Sequence, residues 1–394
     1  MKRVLILGGS VLQVPIIKKA KEMGLKVIVA DYDHNAEGFK YADKIYIAST
    51  NDQEEIENIV SKENPIAVLT AATDAPMKII ANIGEKYSLK TISYDAAVKS
   101  TDKYKMRRTF DLHKVPIPEY ILVKNEDEYI NSIGKISGNK IVKPIDSSGS
   151  RGIILVKDND TNLENYIYAK SNSKKGKVLV EEQLLGNEIS VESITIDNFT
   201  HIIAITQKVT TGAPHFIEMG HYINANIDKD TEEKVIAITK KAISSLGISQ
   251  GPSHTEIMIT NDGPKIIEVG ARLGGDFISS HLVKYATGID LLKLHILQSI
   301  GEDIESNFIK KTSGAAIKYF TSRKGLLKSV KIPETIKNMN GFKEVKLTKE
   351  LNTYIEDMIS SNSRIGYIIC DGKTGNDAFE SCENIINTIE IDIE

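Results

Sequence analysis

Residues 265–276 read KIIEVGARLGGD, and the rest of the chain is best understood outward from them. Ile266, Ile267 and Val269 give the β-branched character of a short strand that carries one acidic residue, Glu268. Just upstream, residues 254–260 (HTEIMIT) read as a second strand. Asn261-Asp262-Gly263 between them is a hairpin signal, because Asp-Gly tolerates the positive φ of a tight turn. Residues on facing strands of a hairpin can project to the same side, so Glu256 and Glu268 are candidates for a cross-strand pair. Two close carboxylates repel unless a cation lies between them. Arg272 adds a donor fork suited to phosphate or carboxylate. The stretch predicts a Mg²⁺–phosphate site.

The surrounding chain has 394 residues, enough for two or three packed domains. Its 50 basic and 53 acidic residues leave a net charge of −3, which favours neither nucleic acid nor an anionic membrane as partner. No apolar run approaches the roughly 18 residues of a membrane span. The opening MKRVLILGG has a basic start, but its apolar run is too short for a signal peptide. Cys370 and Cys382 are spaced for neither a zinc site nor a disulfide framework, so a reduced, cytoplasmic protein is expected.

Residues 3–7, a helical stretch to Met23, and residues 26–30 make a βαβ unit. Gly8-Gly9 and Asp31 outline a dinucleotide site. The later glycine positions of G-x-G-x-x-G hold Ser10 and Gln13, which argues against nicotinamide. Further βα units run through residues 44–48, 53–63 and 67–70 to a last strand at 90–93. Thr73 and Asp74 either line a ligand cleft or cap the following helix.

Thr101 or Asp102 caps a basic helix that contains Lys103. Lys143 ends a strand over residues 140–144, and residues 146–152 (DSSGSRG) form a Gly/Ser loop before a strand at 153–156. Such a loop either closes a plain hairpin or folds its N–H groups over phosphates, and Lys143 and Arg151 tilt the balance toward phosphate. It lacks the P-loop spacing. A strand from residue 177 leads into EEQLL at 181–185, and on the next strand Glu188, Ser190 and Glu192 share one face.

Taken in order, Lys103, Lys143, the loop at 146–152, VEEQL, NEISVE, HTEI and IIEVGAR resemble the ATP-grasp superfamily of carboxylate ligases over nearly the whole chain. The resemblance implies an α/β and α+β architecture. An open parallel α/β (pre-ATP-grasp) domain would span 1–100, a small or lid lobe 101–185, a large lobe with the metal site 186–310, and a C-terminal α/β subdomain 311–394. It also implies ATP and Mg²⁺, with Mn²⁺ as an alternative metal. Lys103 and Lys143 would contact the ATP phosphates under Ser147, Ser148 and Gly149. Glu181 and Leu184 would meet adenine and Glu188 the ribose. Glu256 and Glu268 would hold the metal. Arg272 would sit at the acyl phosphate, and with Lys143 it is an expected catalytic group. One departure stands out: many members read E-x-N-x-R where this chain reads E-V-G-A-R, with Gly270 in the place of Asn.

The run ARLGGDFISSHLVKYATGIDL most resembles L-amino-acid ligases and related carboxylate–amine ligases. Residues 211–221 sit where those enzymes have a substrate loop. His215, Glu218 and His221 are therefore substrate candidates, together with Gly274 and Gly275 near Arg272. The implied activity is ATP-dependent joining of small-molecule carboxylates and amines, amino acids foremost, in a cytoplasmic homodimer. The alternatives are a ligase or carboxylase of the purine-biosynthesis or biotin-carboxylase type, and a non-catalytic nucleotide-binding protein. From about residue 313 a further α/β segment is expected to pack as a lid or appended subdomain, with strands at 315–321, 328–331, 342–346 and 364–370 and a helix over 377–389.

Overall fold

Buried strands covered on both faces need unbroken apolar runs, and three such runs, with an exposed fourth strand at the edge, build the N-terminal sheet. Arg3–Leu7 (β1), Lys26–Asp31 (β2), Lys44–Ile47 (β3) and Ala67–Leu69 (β4) pair in parallel in the order β3-β2-β1-β4. The chain is described by a computed structural model that covers residues 2–394 except 148, 150, 214, 215, 306, 307, 309, 310 and 359. The strand expected at 90–93 does not form. Ser93 instead caps the helix Tyr94–Thr101, its hydroxyl accepting from the Ala96 N–H at 3.2 Å. A side chain that satisfies a helix donor turns the extended run into a helix start.

Tyr120–Val123 (β5), Lys140–Pro144 (β6), Ile154–Val156 (β7) and Val178–Glu182 (β8) form a second, antiparallel sheet in the order β5-β8-β6-β7. The helices Glu126–Ile133 and Leu163–Ser171 bring their buried rings Tyr129 and Tyr166 together, stacked with centroids 5.5 Å apart.

The largest sheet takes Asn187–Ile196 (β9), Phe199–Thr210 (β10), Glu218–Ile223 (β11), Gly251–Thr260 (β12) and Gly263–Gly270 (β13). The tail adds Gly314–Phe320 (β14), Gly325–Lys331 (β15), Phe342–Leu347 (β16), Tyr354–Ile355 (β17), Gly366–Gly372 (β18) and Glu390–Ile393 (β19). Eight of these strands run β13-β12-β9-β10-β11-β14-β18-β16, while β17-β15-β19 make a small separate sheet. The tail, expected as a lid or an appendage, is thus built into the main sheet: β14 pairs with β11 through His221 and Ile317. Unpaired backbone groups along the β11 edge would otherwise face water. Cys370 and Cys382 are free thiols in the apolar core beneath this extension. In the β12–β13 hairpin, Glu256 stands directly opposite Glu268, and Gly263 closes the turn at φ 107°. Among the described residues, no helix is long and apolar enough to cross a membrane.

Candidate active site

A cavity of about 420 Å³ opens where the three larger sheets converge. Asp74 enters it from the loop after β4, Lys143 and Glu181 from the second sheet, and Glu256 and Glu268 from the large one. Asp102 caps the helix Lys103–Leu112 by accepting from the Lys105 N–H. That cap places Lys103 at the helix start, where its ammonium donates to Glu268 Oε1 at 2.7 Å and to the Ser147 carbonyl at 2.9 Å. Burial alone would lower the Lys103 pKa, but the Glu268 charge outweighs it and raises it.

Glu256 faces a different cation. Lys208 Nζ lies 2.6 Å from Glu188, 3.4 Å from Glu218 and 3.4 Å from Glu256. Burial opposes this ammonium, yet three carboxylates hold its pKa well above the ordinary value. Behind Glu256, His254 Nδ1 meets the fully buried Glu192 at 2.5 Å, and His254 Nε2 is 3.6 Å from Glu256. Burial pushes the imidazole down, but the Glu192 charge and hydrogen bond raise its pKa to about 9.

On the opposite wall, Glu181 accepts from Arg107 Nε at 2.8 Å and lies 2.7 Å from Lys143 Nζ. Burial would raise the Glu181 pKa, but these two cations hold it at about 2. Arg272 forks onto Asp74, with Nε–Oδ1 at 3.2 Å and Nη2–Oδ2 at 3.1 Å. At the far end, Asp276 Oδ2 is 3.1 Å from His221 Nε2 and 3.3 Å from Arg364 Nη1. Arg364 also reaches Glu218 at 3.4 Å and lies 3.9 Å from the Tyr319 ring centre. Asp276 and Phe277 both adopt left-handed backbone, φ 47° and 60°, a strain that concentrates at functional sites. The floor therefore offers fixed cations for a polyphosphate. Its facing carboxylates are the oxygen donors that a hard divalent ion prefers, and lysines neutralise them here.

Two family models match the chain: the ATP-grasp domain over residues 136–280 and the L-amino acid ligase C-terminal domain 2 over residues 318–394. Residues 136–280 thus match an ATP-grasp domain. The chain is 26% identical to the alanine–anticapsin ligase of Bacillus subtilis (strain 168) over 293 residues, 67% of this chain and 61% of that one. It thus spans less than two thirds of that relative's length. The solved L-amino acid ligase of Bacillus licheniformis superposes with a TM-score of 0.87 at 20% identity, covering 100% of this chain and 99% of the other. The biotin carboxylase domain of the Hydrogenobacter thermophilus 2-oxoglutarate carboxylase, solved with MgADP, ADP and bicarbonate, gives 0.79 at 15% identity, with 100% and 91% covered. At these identities the two structures establish the fold. The family is one of ATP-dependent carboxylate–amine ligases, and ATP and Mg²⁺ are its standard cofactors.

Within this ATP-grasp fold, Lys103, Lys143, Ser147, Gly149, Glu181, Leu184, Glu188, Glu218, Glu256, Glu268, Arg272 and Gly275 all line the one cavity. Ser148 and His215 lie outside the described residues. Gly274 differs from expectation. Its N–H donates to Ser279 Oγ at 2.7 Å, so that group is already taken rather than open to a substrate carboxylate. The Gly8-Gly9 turn is likewise self-satisfied: Gly9 N–H donates to Asp31 and Ser10 N–H to Gln13. Of the two readings of Asp74, the cavity-lining one holds, since the helix Met77–Tyr87 has no side-chain cap. Sequence reasoning missed Lys208, His254, Arg107 and Arg364. For Lys208 a signal existed, a lone lysine inside the otherwise uncharged strand β10. Nothing local marks Arg364.

Proposed function

We propose that the protein is an ATP- and Mg²⁺-dependent ligase that activates an amino-acid carboxylate as its acyl phosphate and transfers the acyl group to an amine, releasing ADP and phosphate. The observation that carries this reading is the Glu256–Glu268 pair, directly opposed on the hairpin, with Lys103 and Arg272 in the same cavity.

Lys103 and Lys143, with the backbone around Ser147, Ser148 and Gly149, hold the polyphosphate. Leu184 flanks adenine beside Glu181, whose carboxylate also steadies Lys143, and Glu188 faces the ribose. Glu256 and Glu268 would hold Mg²⁺, which supplies neutralising charge for the phosphoryl group in flight. Nucleotide phosphates draw Lys103 off Glu268, freeing that carboxylate. Arg272 orients the acid substrate. A carboxylate oxygen attacks the γ-phosphorus, the bond to the ADP oxygen breaks, and an acyl phosphate results. The amine then attacks the acyl carbon, loses a proton and expels phosphate. Glu218 and the residues around His215 belong to the amine-bearing end of the substrate site, with Gly275 at the cavity wall near Arg272.

The test is ADP release with amino-acid mixtures, set against bicarbonate alone. Release that requires amino acids supports the reading, and full turnover on bicarbonate alone removes it. The same reading takes the enzyme as a cytoplasmic homodimer, and analytical ultracentrifugation at assay concentration reads the assembly state.

A further inference from the structure

The two ammonium groups assigned to the polyphosphate, Lys103 and Lys143, each rest on a carboxylate, Glu268 and Glu181. A lysine that leaves a buried carboxylate strands a charge, which is strongly unfavourable. Lys143 escapes that penalty, because its carboxylate has a second cation. Arg107 forks onto Glu181, with Nε–Oε1 at 2.8 Å and Nη2–Oε2 at 3.1 Å, while Lys143 Nζ lies 2.7 Å from the same Oε2. All three side chains border the cavity and all are buried. Arg107 stands one helical turn after Lys103 and so shares its face of the helix Lys103–Leu112. Its Nη2 also donates to the Ile267 carbonyl at 2.8 Å, on β13 next to Glu268. The guanidinium is therefore anchored independently of Lys143. Burial lowers the Lys143 pKa, and the Arg107 and Lys103 charges lower it further, so that Glu181 does not restore it. Burial opposes the Lys103 ammonium as well, yet there Glu268 wins and raises the pKa. Of the two lysines, Lys143 is the more loosely held.

We propose that Arg107 is a positioning residue that releases Lys143 to the nucleotide. When phosphates draw Lys143 away, Glu181 keeps its forked bonds to Arg107 and stays neutralised. Without Arg107, the Lys143 ammonium is the charge that must neutralise Glu181, and phosphate binding has to break that pair. Arg107 acts through the carboxylate, since its Nε and Nη2 donors are spent on Glu181 and Ile267. The inference rests on the reading of Lys143 as a phosphate ligand and adds a residue to which that reading gives no part.

The experiment is titration calorimetry of the full chain with two probes, the Mg²⁺ complex of a non-hydrolysable ATP analogue and adenosine alone. Arg107→Gln is expected to weaken the analogue about tenfold or more while adenosine binds as before, because the loss lies at the phosphate end. In a Glu181→Gln background the same Arg107→Gln change alters analogue affinity by no more than about twofold, since no carboxylate is left to retain Lys143. That double variant removes both charges of the fork together, which a buried site tolerates better than a lone charge. Arg107→Lys keeps a cation for folding but not the fork, and gives a smaller loss of the same kind. Equal losses of analogue and adenosine in Arg107→Gln or Arg107→Lys overturn the proposal, leaving Arg107 as a brace for the fold. An undiminished analogue affinity, or a loss that persists when Glu181 is replaced, overturns it too. Lys143→Met separates the two readings: it should weaken the analogue about tenfold or more, and an unchanged affinity removes Lys143 from the phosphates and the proposal with it.

Discussion

Glu181 shows how one carboxylate can serve both stability and the site. It is buried between Arg107 and Lys143, and its pKa falls from 4.5 to about 2 because those cations outweigh burial. A depressed carboxylate pKa contributes stability that is complete above the unfolded value and lost as pH falls through the folded one. Wild-type protein should therefore lose stability between pH 4.5 and about 2 more steeply than Glu181→Gln, measured by urea unfolding along that range. Parallel curves would show that the pair does not hold Glu181 ionised. Arg107→Ala should cost about 3–5 kcal/mol by leaving a buried charge short of a partner, read by calorimetry. Glu268→Gln is expected to abolish ADP release while circular dichroism stays native, and an active variant would remove Glu268 from the proposed metal site. At this scale the sequence was informative where alternation and turn chemistry dictate facing, as with Glu256 and Glu268. It was silent on Arg364, because nothing within a few residues of it reports that Asp276 and Glu218 will lie beside it.

The hairpin and the turn after it show what an element can and cannot disclose. Asn261-Asp262-Gly263 announced its turn, and the strands followed with the carboxylates in register. Gly274-Gly275 read as substrate candidates near Arg272, yet the Gly274 N–H is taken by Ser279 on the helical turn Ile278–Leu282. Ser279 also donates to Glu192 at 2.7 Å, so the turn hangs from the same buried network as His254. The need for glycine there is steric. A Cβ at Gly274 would stand 2.6 Å from Glu192 Oε2 and 2.8 Å from His254 Nδ1. Gly274→Ala should accordingly destabilise the fold by about 1–3 kcal/mol through overpacking, seen as a lower midpoint in chemical denaturation. An unchanged midpoint would mean that the network gives way freely. The missing strand at 90–93 has a similar lesson: β-like residues yielded to a serine whose hydroxyl had a helix donor to satisfy.

For the whole molecule, the tail is the part that sequence periodicity described least well. Four of its six strands were legible one by one, while Tyr354–Ile355 and Glu390–Ile393 were not, and strand partners depend on contacts far apart in the chain, which local pattern does not encode. β14, β18 and β16 complete the sheet that carries the candidate site, and Arg364 reaches back from just before β18 to Asp276. Removing residues 312–394 would bare the β11 edge, and the shortened chain is expected to aggregate. A monodisperse, cooperatively unfolding fragment in size-exclusion and thermal scans would show instead that the tail is an appendage. The three converging sheets, the opposed carboxylates and the lysines beside them support the proposed reading, that the intact protein condenses amino acids with amines using ATP. The most direct measurement follows ADP and phosphate release with Mg²⁺ and amino-acid pairs while mass spectrometry identifies the condensed product. The account predicts product, ADP and phosphate in equal amounts, and none without amino acids. Full turnover on bicarbonate alone, or ADP release with no condensed product from any pair, would contradict it.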